Sequence, residues 1–126
     1  MVDLGAAPGG WCQVARKRGA GQVVALDLAG DRLTVAARIA TIGEPTALLT
    51  DRRGGRLLAT EDNADRLAVI DLAQARLIAE PRIGLPETLG ATPGKGANPN
   101  AMALLPDGRL LVAMGGINAL GVLAPA

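Results

Sequence analysis

The sequence predicts a mainly β protein, in which repeated antiparallel strands follow a short N-terminal β-loop-α-β segment. Apolar residues recur at a period of about two from Arg32 onward, which is typical of half-buried strands. Turn residues, chiefly Gly, Asp and Asn, separate these apolar runs. By contrast, Trp11, Val14 and Ala15 follow the i, i+3, i+4 spacing of a helix, directly behind a glycine-rich loop.

The first 28 residues are predicted to form strand, loop, helix and strand, a Rossmann-like order. Val2–Leu4 is a very short first strand, and Gly5–Gly10 is a loop with three glycines. A helix is expected over Gly10–Arg18, because its apolar stripe has helical spacing and Gly19 and Gly21 end it. The apolar run Val23–Leu28 is too short for a helix between such breakers, so it is predicted to be a strand.

The remainder of the chain is predicted to alternate between short strands and turns. Gly84–Asn98 is a Gly- and Pro-rich loop without periodicity. Leu110–Ala126 carries no charge, but its glycines favour a buried strand pair over a membrane helix, and at about 17 residues it is at the lower limit for a span. The strand candidates are Arg32–Ile39, Pro45–Leu49, Arg56–Thr60, Arg66–Asp71, Arg76–Ile83, Ala101–Leu105, Arg109–Met114 and Ala119–Leu123.

Two internal repeats support this organisation. Gly55–Thr60 matches Gly108–Ala113, and Leu26–Ala29 is echoed by Ile70–Ala73. The second spacing is about 44 residues, which is the length of one four-stranded propeller blade. We therefore expect residues 29–126 to hold propeller-like antiparallel blades, about two and a half by this spacing, and residues 1–28 to form a separate fragment.

Composition excludes several kinds of site. The 126 residues contain no His or Ser, which rules out Ser–His catalysis and His-ligated metals. Cys12 is alone, so no intrachain disulfide forms. The net charge of +1 gives no electrostatic footprint for nucleic acid, and Arg16-Lys17-Arg18 is interpreted as a helix end rather than an RNA contact. No signal peptide is recognisable, so the chain as it stands is expected in the cytoplasm.

A glycine-rich string near the N-terminus runs from Asp3 to Trp11 and is followed by the strand Val23–Leu28. It resembles motif I of the FtsJ/RrmJ-like S-adenosylmethionine-dependent RNA ribose 2′-O-methyltransferases. Glycines in such a loop let the backbone approach a cofactor closely. The resemblance implies that Asp27, at the end of the second strand, binds ribose hydroxyls of S-adenosylmethionine. It also implies no catalytic residue here, since Lys17 and Lys95 are the only lysines and neither has a matching context. The residues it implies on the methionine side of the cofactor are Asp3, Gly5, Ala6, Ala7, Pro8, Gly9, Gly10 and Trp11.

The region from Thr41 to Leu123 resembles the YVTN or YncE-type β-propeller repeats. The resemblance rests on Leu67–Leu72, on Asn98–Ala113 with its Pro106-Asp107-Gly108 turn, and on Gly115–Leu123. Propellers have about four to eight blades. An incomplete set leaves apolar faces and strand edges open, so we expect a homo-oligomer through the open blade edges.

Three further features have a functional and a structural interpretation each. Glu61, Asp62 and Asp65 could bind a hard cation or form a polar hairpin turn, and the spacing favours the turn. Gly90–Gly96 has the wrong glycine spacing for a phosphate loop and is predicted to be an exposed loop. Cys12 has no acid–base partner in the sequence and is predicted to be a buried small side chain.

The sequence thus favours a non-catalytic β-propeller-repeat fragment. Its role would be scaffolding or interaction, or it would be a composite chain without an evolved function. No cofactor, membrane or nucleic acid is expected under this interpretation. The alternative is a truncated, S-adenosylmethionine-binding protein of the RNA ribose methyltransferase type, for which the cofactor and RNA would be the partners.

Overall fold

The protein is mainly β, and its strands are antiparallel throughout the described residues. The computed structural model describes residues 2–3, 10–17, 20–85 and 96–124. The strands are β1 (Val2–Asp3), β2 (Gly10–Lys17), β3 (Ala20–Ala29), β4 (Arg32–Thr41), β5 (Pro45–Asp51), β6 (Arg56–Glu61), β7 (Arg66–Asp71), β8 (Arg76–Ala79), β9 (Pro99–Leu104), β10 (Leu110–Met114) and β11 (Ala119–Leu123), with a 3-10 turn at Gly115–Ile117.

The described strands form three sheets, each an up-and-down meander of sequence neighbours. Sheet I contains β1 to β4, sheet II contains β5 to β8, and sheet III contains β9 to β11. Every pairing inside the sheets joins strands that are consecutive in the chain and antiparallel.

Sheet II is buried on both faces. Leu57 and Ala59 of β6 pack with Val23 and Ile39 of sheet I. The intervening Leu58 packs with Leu110 and Val112 of sheet III, among others. Because side chains alternate between the faces of a strand, a sheet buried on both faces needs a continuous apolar run, and β6 begins with Arg-Leu-Leu-Ala.

The predicted N-terminal helix is wrong. Residues of the expected helix Gly10–Arg18 instead form β2, which pairs with β3 from Gly10↔Asp27 to Lys17↔Ala20. A single nine-residue helix is marginal in water, whereas all eight β2 residues have a pairing partner on β3, which satisfies the backbone groups of alternate residues. The described segment is therefore antiparallel, and the Rossmann-like β-loop-α-β order is absent from it. The loop positions 4–9 lie outside the described residues.

The remaining strand predictions are confirmed with small shifts at the ends. The run predicted over Arg76–Ile83 is shorter, because β8 ends at Ala79 and only a bridge between Arg66 and Arg82 follows. The uncharged C-terminal stretch forms the expected antiparallel strand pair, β10–β11, but β11 is not buried, because Leu120 is 62% and Val122 is 56% exposed. Most of the predicted Gly84–Asn98 loop, residues 86–95, lies outside the described residues. No helix in the described part of the chain is long and apolar enough to cross a membrane.

The count of sheets differs from the spacing-based estimate of two and a half blades. The described residues form sheets of four, four and three strands, because residues 2–41 make a sheet of their own. Residue 28 lies inside β3, so both predicted regions, 1–28 and 29–126, contribute strands to sheet I. The boundary between them stays a prediction.

Candidate functional site

The residues predicted to bind a cofactor fall into two groups. Gly5, Ala6, Ala7, Pro8 and Gly9 lie outside the described residues. Asp3, Gly10, Trp11 and Asp27 lie on strands of sheet I.

The register of sheet I brings part of the predicted cofactor set together. Gly10 is directly opposite Asp27 on the neighbouring strand, and Trp11 is opposite Leu26. Asp3 pairs with Cys12 on the other side of β2. Asp27 is exposed and could reach a ligand at this end of the sheet. A helix N-terminus, which would offer free N–H groups to an anionic group, is absent from the described part of this segment.

Two buried or half-buried carboxyl groups hold the connection between sheets I and II. Glu61, at the end of β6, is fully buried, and its Oε1 accepts a hydrogen bond from Gly43 N at 3.3 Å. Glu80 Oε1 accepts one from Ile42 N at 2.9 Å. A Cβ on Gly43 would lie 2.5 Å from the Cβ of Ala64, so only glycine fits this contact. The pair of carboxyl groups therefore fixes two consecutive backbone amides of the connection.

The pKa of Glu61 is raised from the usual 4.5 to about 7, chiefly by burial and in addition by the hydrogen bonding and the charge of Glu80. The Gly43 N–H and the charge of Arg66 act in the opposite direction. Glu61 Oε2 is buried and accepts no hydrogen bond from a described donor. A proton shared with Glu80 would satisfy this oxygen, as expected for two carboxyl groups in one site.

The same hairpin, between β6 and β7, also holds the connection into sheet III. Asp65 Oδ1 accepts a hydrogen bond from Asn98 N at 3.0 Å, and Asn98 Nδ2 donates to Asp62 O at 3.3 Å. On the other side, Asn63 Oδ1 accepts from Glu44 N at 2.7 Å. We call residues 61–66 the clasp hairpin, because both sheet-to-sheet connections are hydrogen-bonded to it.

The clasp hairpin accounts for the acidic cluster of the sequence. Glu61 faces the first connection and Asp65 the second, and no group of three potential metal-ligating residues occurs among the described residues. Residues 62–65 form the turn between β6 and β7, as the sequence favoured. Sequence reasoning missed Glu80, which stands in no recognisable motif, and it placed Asn98 in the repeat pattern without assigning it this contact. Cys12, predicted to be buried, belongs to the part of β2 of which only the backbone is described.

Comparison with known proteins identifies a family for the N-terminal part. The model of the FtsJ-like methyltransferase family matches residues 1–79. The ribosomal RNA large subunit methyltransferase E of Nitrobacter winogradskyi is 41% identical over 78 residues, covering 58% of this chain and 32% of that protein. The corresponding enzyme of Gluconobacter oxydans is 75% identical over 28 residues, covering 22% of this chain and 10% of that protein. The chain thus spans a third or less of the length of these curated relatives.

Comparison of structures identifies the fold of the whole chain. A solved structure of a protein from Lactobacillus plantarum matches with a TM-score of 0.71 at 16% sequence identity. The match covers 98% of this chain and 40% of that one. At this identity the likeness shows a shared fold.

The two comparisons meet in residues 1–79. The sequence of this stretch matches the methyltransferase family, while its described residues form sheets I and II of a β fold. The family resemblance predicted from the N-terminal motif is confirmed, and with more than half of its residues matched, the chain belongs to the FtsJ-like methyltransferase family.

Proposed function

We propose that this chain is a non-catalytic interaction module, whose three sheets act as consecutive propeller blades and assemble with a second copy of the chain. The observation that carries the proposal is the apolar outer face of sheet III, together with exposed apolar side chains beside the turn between β3 and β4 of sheet I. S-adenosylmethionine has no role in this function.

The outer face of sheet III is apolar at every paired position. Val112 and Met114 face sheet II, so the alternate residues Leu111 and Ala113 face outward. Opposite them on β11 are Val122, 56% exposed, and Leu120, 62% exposed. Ala103 and Ala101 of β9 complete this face.

The outer face of sheet I is apolar near the turn between β3 and β4. Val23 and Ile39 face sheet II. A bulge between the Ala25 and Leu26 pairings shifts the register, so that Leu33 and Val35 lie on the opposite face. Leu33 is 53% exposed and Val35 is 50% exposed.

A second copy of the chain fits these faces because the interfaces inside the molecule are already head-to-tail. Sheet I packs on II and II packs on III, each through apolar residues. Repeating that step would place sheet III of one copy against sheet I of the next, a heterologous contact that closes when the rotation allows. Two copies of three sheets give a six-bladed ring, within the range of about four to eight blades.

Light scattering coupled to size-exclusion chromatography tests this assembly. We expect a mass twice the 12.7 kDa of the chain. Leu120→Asp, which places a charge on the outer face of sheet III, should give the monomer mass. Ile78→Asp is the matched control, since Ile78 is 48% exposed on the edge strand β8 and should leave the dimer intact. A monomeric unaltered chain, or equal dissociation in both variants, would contradict the proposal.

A second candidate function is S-adenosylmethionine binding by the N-terminal motif. Membership of the FtsJ-like family favours it, as does the 75% identity over 28 residues with the enzyme from Gluconobacter oxydans. Under this alternative Asp3, Gly5–Trp11 and Asp27 would surround the cofactor, and RNA would be the partner.

Isothermal titration with S-adenosylmethionine separates the two functions. The interaction module is expected to give no saturable heat. Saturable binding that is lost in Gly9→Arg but kept in Gly30→Asn would replace the first proposal with the second. Gly30 is a suitable control because it lies in a turn at φ 64°, has open space around it, and asparagine tolerates that conformation.

A further inference from the structure

A cleft of about 830 Å³ opens between one turn of sheet II and one turn of sheet III. One wall is the turn between β5 and β6, with Arg52, Arg53 and Arg56. The facing wall is the turn between β9 and β10, with Pro106 and Asp107. None of its lining residues belongs to the outer faces of sheets I and III, so ligand binding in the cleft does not require the proposed assembly.

In each of the two turns, one arginine forms an ion pair with an aspartate of the same turn. Arg56 Nη2 pairs with Asp51 Oδ2 at 3.3 Å, and Arg109 Nε pairs with Asp107 Oδ2 at 2.7 Å. Asp51 Oδ1 also accepts a hydrogen bond from Gly54 N, which closes the first turn. The internal repeat aligns Arg56 with Arg109, but their acidic partners stand at different positions, five residues before Arg56 and two residues before Arg109.

Arg52 and Arg53 have no equivalent in the turn of sheet III. They belong to the turn between Asp51 and Arg56, are exposed, and form no ion pair with a described residue. The acidic side chains on the cleft wall do not neutralise them. Asp51 is committed to Arg56, and the backbone N–H of Arg109 lowers the pKa of Asp107 and so keeps it ionised and paired.

We propose that this cleft is a binding site for an oxyanion, a phosphate or carboxylate group, held by Arg52 and Arg53. Guanidinium groups present planar pairs of N–H donors that match such oxygens in bidentate fashion. Leu104, Leu105 and Pro106 form an apolar part of the wall, against which the uncharged part of a ligand would lie. The cleft is large enough for a small-molecule ligand, since such sites measure about 300–1,000 Å³.

Titration of the ¹⁵N-labelled full chain with inorganic phosphate, followed by amide and arginine Nε–H chemical shifts, tests the site. Sodium acetate at matched ionic strength forms the carboxylate arm, and sodium chloride is the reference. We expect saturable shifts confined to residues 50–56 and 104–108 with phosphate or acetate but not with chloride. The anion with the lower dissociation constant identifies the preferred oxyanion.

The double variant Arg52→Gln/Arg53→Gln should weaken binding by about tenfold or more, since it removes the charge-assisted hydrogen bonds. Arg32→Gln/Arg38→Gln changes the net charge equally, at exposed positions of β4 outside the cleft, and should leave binding unchanged. Shifts that grow linearly without saturation, or equal weakening in both double variants, would overturn the site. The mass of the chain in solution tests the assembly separately, so either proposal can be contradicted without the other.

Discussion

At the scale of single residues, Glu61 is the feature with the largest consequence. It is the fully buried carboxyl of the clasp hairpin, and its raised pKa makes the folded chain bind a proton that the unfolded chain releases. Between the ordinary value of 4.5 and about 7, the free energy of unfolding should therefore fall as the pH rises, by on the order of 3 kcal/mol in total. Urea unfolding across this pH range measures the slope.

Glu61→Gln is the control for this pH dependence, because the amide keeps the shape of the protonated side chain without titrating. The free energy of unfolding of the original chain minus that of Glu61→Gln should decline as the pH rises from 4.5 to about 7, and it should level off above that pH. In Glu80→Gln the free energy of unfolding should stop falling at a lower pH, since Glu80 helps to raise the pKa of Glu61. A difference that stays flat or grows with pH would contradict the shared-proton arrangement.

At the scale of elements, β6 is the strand that packs against both neighbouring sheets, I and III. Leu57 is 1% exposed and packs toward sheet I, whereas Ile78 on the edge strand β8 is 48% exposed. Leu57→Ala should lower the free energy of unfolding by about 2–5 kcal/mol, because it leaves a cavity that the packed sheets cannot close. Ile78→Ala removes an aliphatic side chain of similar size and should change it by less than about 0.5 kcal/mol. Thermal or urea unfolding compares the two, and equal losses would mean that sheet II is not the packed centre.

Several elements could be predicted because their signals are local. The strands Arg66–Asp71 and Ala119–Leu123 agree residue for residue with the sequence prediction, since turn residues bound each run on both sides. The helix over Gly10–Arg18 could not be distinguished from β2 in the same way. A stripe of three apolar residues is too short to fix the period, and the pairing with β3 decided it.

The turn of the clasp hairpin was predicted, but its contacts with the sheet-to-sheet connections and the arginine cleft could not be, because each joins residues distant in sequence. Glu61 and Glu80 meet only through the registers of β6, β7 and β8. The cleft joins turns of two different sheets, so Arg52 and Pro106 become neighbours only after sheets II and III pack. Neither arrangement leaves a spacing that a motif search would find.

At the scale of the whole molecule, ancestry and fold follow different boundaries. The methyltransferase family model matches residues 1–79, and the structural match covers 98% of the chain. Val23–Leu28 belongs to both, since it is the apolar strand after motif I and also the part of β3 that packs on sheet II through Val23. An apolar strand that ends in Asp-Leu suits a parallel or an antiparallel neighbour, so this segment can keep its sequence while its pairing partners change.

The middle position of sheet II has a consequence for how such a chain grows. Sheet II has two apolar faces and packs against a sheet on each side. Nothing in such a middle sheet, taken as one layer of the stack, fixes how many layers the chain contains. Duplication of one such unit adds another layer at either end without any compensating change in the middle, as in repeat proteins whose stability is a sum of nearest-neighbour terms. Only the terminal layers, whose outer faces would meet a new neighbour, would need to adapt, so a duplication should require compensating substitutions on the outer faces of sheets I and III while β6 stays nearly unchanged.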